Sequence, residues 1–374
     1  MKRLFSLFFA AILMLSVTVN VPAADIPISA RAYILYCPEN GEALLSREPD
    51  EPLPMASTTK IMTTLITLER AAEDNSVVEF TDEMTAEGSS MYLKPGERLT
   101  LDDLAVGMMM QSGNDAANAA AISIAGSVEA FAKLMNDKAA ELGMKNTSFV
   151  TPSGLDDDGH YSTARDMALL MAYAMKNERF AAIASQTSMT VDFIEPAGKH
   201  ASYTNHNKLL RMYEPCVGGK TGYTDKSGRC LVTAAEKDGM TLIAVTLNDH
   251  NDWDDHISLY EWGFDNFTAV DPQADISRDI AVVGGVSDFV SLNTAGSPRL
   301  ILPKEKARDI ETEIHLPAFV YAPVRAGDTA GKIIYKSHGE SIGEETLSFA
   351  GDIAYDNQRR SIIAYIKDLL NWHR

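Results

Sequence analysis

The chain has 374 residues, 45% of them hydrophobic and 23% charged, with 33 Lys+Arg against 52 Asp+Glu and a formal net charge of −19. That is ample chain for a sizeable core and, by the usual domain length, for two domains. So acidic a surface repels phosphate backbones and excludes a nucleic-acid partner. Cys37, Cys216 and Cys230 are too few for a disulfide framework and read as small buried hydrophobes.

At the N-terminus, Lys2 and Arg3 precede an apolar run from Leu4 to Val17, and small residues follow at Ala23 and Ala24. This is the layout of a signal peptide over residues 1–24. An uncleaved anchor is the weaker reading, because a span needs about 20 apolar residues. Cleavage would remove Lys2 and Arg3 and move the net charge from −19 to −21. From Ala30 to Leu45, an alternating run, a Pro38-Glu39-Asn40-Gly41 turn cluster and a second apolar run predict a hairpin. From Ser57 to Ala72, apolar residues recur at helical spacing, and a helix-rich stretch broken by Gly113, Gly126, Gly143 and Gly154 continues to about Lys176. Strand character returns near Val217, Cys230 and Thr241. Strands at both ends of a helical middle predict an α+β (α/β) domain over residues 25–268, an antiparallel sheet flanked by helices.

After Phe267 the helical period disappears. Short β-rich runs separated by Gly, Pro and Asp predict a small all-β domain at 271–355. Residues 357–374 differ again: Ile362, Ile363, Ile366, Leu369 and Leu370 fall on one helical face, with Arg359, Arg360, Lys367 and Arg374 around them. A basic amphipathic helix of this kind is expected to lie on an anionic membrane surface, the alternative being a helix docked on the β domain.

Three short motifs carry chemistry. In Ser57-Thr58-Thr59-Lys60 the hydroxyl sits at a helix N-terminus, and an amine three residues on lies on the same face. A serine needs a neighbouring base to become a nucleophile, and an amine serves only if burial or a second cation lowers its pKa. Ser112-Gly113-Asn114 alone reads as a turn between helices, and Lys220-Thr221-Gly222 alone as a hairpin end. The acidic run His250–His256 and Asp156-Asp157-Asp158-Gly159 lack recurring ligand spacing, so no metal and no cofactor is expected.

Together and in this order, Ser-x-x-Lys, Ser-x-Asn and Lys-Thr-Gly form the set shared by serine β-lactamases and penicillin-binding proteins. PMASTTKIMT, MMMQSGNDAANAAA, TPSGLDDDGHYSTARDMA and GGKTGYTDKSGRC closely resemble the low-molecular-weight penicillin-binding proteins, the serine-type D-alanyl-D-alanine carboxypeptidases of peptidase family S11. That resemblance runs from about Ala30 to Phe267, and more loosely covers the leader, the β domain and the tail. It implies the penicillin-binding/serine β-lactamase-like fold. It also implies removal of the terminal D-alanine from peptidoglycan pentapeptide stems through an acyl-enzyme on Ser57, with β-lactam antibiotics as covalent inhibitors. Lys60 would be the general base and Ser112 part of the proton relay. Asn114, Lys220, Thr221, Gly222 and Tyr223 would bind substrate, the Ser57 and Tyr223 N–H groups forming the oxyanion hole. His206, between two asparagines, stands where relatives often carry Arg or Thr, and Tyr223 where some have His. A class A-like β-lactamase, or a non-catalytic wall-binding protein on the same fold, is the alternative. The implied place is outside the cytoplasm, on the outer face of the cytoplasmic membrane.

Overall fold

The computed structural model describes residues 26–356, apart from 275, 277, 278, 295 and 297. The leader at 1–24 and the amphipathic segment at 357–374 lie outside the described residues. The described residues divide into two units, 26–273 with 297–309, and 274–296 with 310–356.

In the first unit, five antiparallel strands stand in the order Glu42–Arg47, Ala32–Cys37, Met240–Asp249, Gly228–Lys237, Cys216–Thr224. The hairpin read from the N-terminal sequence is the first pair, turning through 38–41. Ala32 stands opposite Leu247, so the earliest strand pairs with the latest long one and closes the helical middle into a single sheet. The central strands are apolar on both faces: Leu242, Ile243, Ala244, Val245 and Leu247 are all fully buried. A strand reads this way when helices cover both sides. Ala164–Ala174 and Asp252–Asn266 both pack on the Met240–Asp249 strand.

The helical layer contains Lys60–Glu73, Leu101–Met110, Asn114–Ala125 and Val128–Glu141. Its centre is the alanine-rich helix, in which Ala116, Ala117, Ala119, Ala120 and Ala121 have no exposed surface. Small side chains at these positions let the helices Lys60–Glu73, Leu101–Met110 and Val128–Glu141 approach it closely. Residues 297–309, inside the span assigned from sequence to the β domain, add strand Leu300–Pro303, which pairs with Phe267–Val270 in the first unit.

The second unit is all β among its described residues. One sheet runs Phe289–Val290, Ile280–Val283, Phe319–Tyr321; the other runs Leu292–Thr294, Glu340–Phe349, Thr329–Ser337, Ile310–His315. Ile333, Tyr335 and Leu347 have no exposed surface and form its core.

Candidate active site

Ser57 lies on a 3-10 turn, Ala56–Thr59, that runs straight into the helix Lys60–Glu73, so the helix predicted from Ser57 begins one residue earlier and in a tighter form. The polar start of this helix is buried because its hydroxyls are used: Thr58 donates to Met55 O at 2.6 Å, Thr59 to Ala56 O at 2.8 Å and Thr63 to Pro152 O at 2.6 Å. Ala56, just before the serine, has φ +48°, and Ser112 has φ +58°. Left-handed backbone at two non-glycine residues costs on the order of 1–3 kcal/mol each, and persists only where the surroundings dictate it.

Lys60 is fully buried. Its Nζ lies 3.0 Å from Ser57 Oγ, 2.6 Å from Asn114 Oδ1 and 2.6 Å from the Ser153 carbonyl. The last two are carbonyl oxygens that only accept, so they take two N–H bonds from the amine. In the neutral amine the remaining position is the lone pair, directed at the Ser57 hydroxyl. Burial above all, and then the Lys220 charge, hold the Lys60 pKa well below its ordinary value, while Asp115 opposes them. Lys220 is itself buried and pushed down to about 7 by burial. The structure thus has the two features an amine base needs, desolvation and a neighbouring cation.

Asn114 begins the alanine-rich helix, and its Nδ2 donates to Glu87 O at 2.6 Å, which fixes Oδ1 toward Lys60. Ser112 is buried in the turn before it; among the described residues no hydrogen bond joins its hydroxyl to Ser57 or Lys60. Lys220, Thr221, Gly222 and Tyr223 lie on the strand Cys216–Thr224, at the edge of the sheet, where Lys220 Nζ donates to Thr221 O at 2.8 Å. An edge strand has unpaired backbone groups with which an extended peptide can align. His206 projects at the rim between buried Asn205 and Asn207, which tie down its loop, and desolvation followed by the Lys220 charge lowers its pKa.

The position of Gly222 explains why the Lys-Thr-Gly motif ends in glycine. A Cβ there would stand 2.8 Å from Met55 O and 3.1 Å from both Ala56 Cβ and Ser57 N, so the strand backbone rests on the turn that carries the serine. Gly222→Ala is therefore expected to fold, with unchanged far-UV circular dichroism, yet to acylate about 10²-fold more slowly, the scale of an ångström-sized misplacement. Acylation within a few fold of the parent would contradict this placement.

Four residues that sequence reasoning left without roles complete the site. Ser153 supplies the carbonyl above, and Gly154, at φ +82°, lets its loop lie against Ala56 O, where a Cβ would stand at 2.0 Å. Asp115 is buried and holds the segment leading to Leu93 by accepting from Ser90 Oγ, Met91 N and Leu93 N. His160 Nδ1 accepts from Val150 N, so its Nε2–H is the donor to Thr59 Oγ1 at 2.8 Å. The TPSGLDDDGHYSTARDMA stretch carries the family resemblance, but nothing in it shows that Ser153 meets Lys60 and His160 meets Thr59.

Burial, against the opposing charges of Asp157 and Asp156, pushes the His160 pKa down to about 4. A folded-state pKa below the unfolded value of about 6.5 means full stability above that pH and a loss as pH falls toward 4. The loss from this one residue is roughly 3 kcal/mol at 1.36 kcal/mol per unit. The stability gap between the parent and His160→Gln, measured by urea unfolding, is expected to narrow by about that much between pH 7 and 4. A gap independent of pH would contradict it.

The acidic run His250–His256 is spent on structure: Asp252 accepts from Arg229 at 2.6 Å and Asp255 from Ser29 N at 2.6 Å. Cys37, Cys216 and Cys230 are buried and unbridged.

Residues 17–251 match the family model of the D-alanyl-D-alanine carboxypeptidases, and residues 267–355 match that of the penicillin-binding protein 5 C-terminal domain. The chain belongs to the D-alanyl-D-alanine carboxypeptidase family. Among relatives of this family, it is 32% identical to carboxypeptidase DacF of Bacillus subtilis (strain 168), over 98% of this chain and 97% of that one. To carboxypeptidase DacC of Escherichia coli (strain K12) it is 34% identical, over 88% and 84%. Penicillin-binding protein 5 from Haemophilus influenzae superposes with a TM-score of 0.75 at 29% identity, covering 88% of this chain and 98% of that one. The Streptomyces K15 DD-transpeptidase superposes at 0.61 and 28%, covering 64% and 98%. This family member is a serine-type D-alanyl-D-alanine carboxypeptidase with the penicillin-binding fold and an all-β C-terminal domain.

Proposed function

We propose that Ser57 is the nucleophile that removes the terminal D-alanine from peptidoglycan pentapeptide stems, with Lys60 as its base. The observation that carries this is the buried Lys60 amine, committed by two N–H bonds to Asn114 and Ser153, with its third position 3.0 Å from Ser57 Oγ. Ser57 Oγ bonds to the D-Ala–D-Ala carbonyl carbon as its proton passes to Lys60. The C–N bond breaks, and the departing D-alanine amine takes that proton. Water then attacks the ester carbonyl carbon and gives a proton to the Lys60 amine; the ester C–O bond breaks, and Lys60 returns that proton to Ser57 Oγ.

The oxyanion would sit between the N–H groups of Ser57 and Tyr223, a reading supported by the close approach of Gly222 to Ser57 N. One such donor is typically worth ~3 kcal/mol. Ser112 and Asn114 would line the proton path and the substrate amide. Lys220 would keep Lys60 neutral, and Thr221 would bind the terminal carboxylate. β-Lactams would acylate Ser57 as covalent inhibitors. A wall-binding protein without catalysis draws no support from a catalytic set this complete, and the match of residues 267–355 to the penicillin-binding protein 5 C-terminal domain favours the carboxypeptidase over a lactamase.

The organisation proposed with this activity is a leader at 1–24, a catalytic domain at 25–268, a β domain at 271–355 and a membrane-surface helix at 357–374. The place is the outer face of the cytoplasmic membrane. The sixteen residues 359–374, if helical, would reach only about 24 Å, short of the ~30 Å hydrocarbon core, so the tail would lie flat. Incubation with a pentapeptide stem tests the activity: release of free D-alanine, and none from a stem ending in L-alanine, is expected. A protein that hydrolyses penicillin rapidly but leaves the stem intact would overturn the reading.

A further inference from the structure

The three-stranded sheet of the second unit is apolar on both faces. Ala281 stands opposite Phe289 in one neighbouring strand and Phe319 in the other, and Val283 stands opposite Tyr321. Side chains alternate along a strand, so these residues share one face and Ile280, Val282 and Val290 share the other. The second set is buried, at 3–4% exposure. The first is open: Val283 is 44% exposed, Phe289 60%, Phe319 47% and Tyr321 69%. Phe319 and Tyr321 meet edge to face at 5.4 Å. Val286 and Tyr355, near the end of the central strand, are exposed as well.

Large rings held in water in this number mark a contact surface. Its composition narrows the partner. Residues 316–324 contain no charged side chain in a chain that is 23% charged, although Asp288 and Asp356 border the face. Such a surface gives a protein partner no ion pairs with which to fix register. Phenylalanine and tyrosine, with an apolar body and in tyrosine a polar tip, suit the boundary between headgroups and acyl chains. On so acidic a chain, an uncharged face is also the part that approaches an anionic surface with least repulsion.

The path of the chain supplies the location. Tyr355 bridges to Gly285, and Asp356 N donates to Gly284 O at 3.0 Å. The last described residue therefore sits at the end of the central strand of this sheet, and segment 357–374 begins there.

We propose that the Val283–Phe289–Phe319–Tyr321 face is a second lipid contact, dipping its rings into the interface of the bilayer that holds the tail. The proposal rests on the tail reading given above. A tail on the membrane brings this sheet to the same surface, and the face then buries apolar area there.

Vesicles of phosphatidylglycerol and phosphatidylcholine with brominated acyl chains test it on the full mature chain. The combined variant Phe289→Ser, Phe319→Ser, Tyr321→Ser is expected to weaken binding about tenfold (~1.4 kcal/mol) while releasing D-alanine at the parent rate. Phe319→Trp, which preserves the fold if the triple change does not, is expected to be quenched by the brominated lipid beyond the level of the parent tryptophans. Parent-strength binding by the triple variant, or no added quenching in Phe319→Trp, overturns the proposal. So does a dimer that the triple variant dissolves, or tryptophan emission already blue-shifted without lipid and red-shifted on deleting 357–374, since the face is then covered by a second copy or by the tail. Deleting 357–374 reads the tail separately: unchanged binding there refutes the tail as anchor, whereas quenching at Phe319 still reports whether the face meets lipid.

Discussion

Ser57→Ala is expected to lower D-alanine release by on the order of 10⁴-fold or more, the scale on which enzymes lose rate when a nucleophile is removed. The methyl group leaves no oxygen to form the acyl bond, while the rest of the site is barely disturbed. Ser57 is only partly buried, and its hydroxyl makes one contact with Lys60 Nζ at 3.0 Å; that amine retains Asn114 and Ser153. Folding should therefore be nearly unchanged, and substrate should still bind. A variant with a parent-like melting temperature, intact pentapeptide affinity and no turnover is the expected combination. Turnover within a hundredfold of the parent would mean that water is attacking directly, or that another hydroxyl does the work.

Lys60→Arg is expected to be nearly as damaging as Lys60→Ala, again near 10⁴-fold. If Lys60 only supplied positive charge, arginine would replace it. A guanidinium stays protonated near neutral pH and has no lone pair for the serine proton. The environment points to a base instead: burial and the Lys220 charge both disfavour the protonated amine. The larger arginine also enters a fully enclosed position, so its melting temperature must be compared with that of Lys60→Ala. A folded Lys60→Arg that keeps even a tenth of the acylation rate, about 1.4 kcal/mol of barrier, would assign Lys60 a charge role alone.

Much of this was legible in the sequence, for reasons particular residues make plain. Short-range chemistry reads well: the Pro38–Gly41 turn, and the three-residue spacing that puts Lys60 beside Ser57. The order of the three motifs carried the family, because each sits on an element whose type is fixed locally. What stayed hidden depends on long-range approach. Nothing local to Ser153 shows that its carbonyl meets Lys60, 93 residues away in sequence. Nothing local to Asp115 or His160 shows what they hold either. Only packing shows that one ties down the segment to Leu93 and the other holds the turn carrying Ser57. The pairing of Leu300–Pro303 with Phe267–Val270 is likewise something composition does not encode.

The central claim is that Ser57, activated by Lys60, forms the acyl-enzyme. The most direct measurement is the intact mass of the protein after brief exposure to penicillin, followed by peptide mapping of the adduct. One covalent adduct per chain, on the peptide containing Ser57 and absent from Ser57→Ala, is the predicted result. An adduct on Ser112, or a protein whose mass does not change, would contradict it.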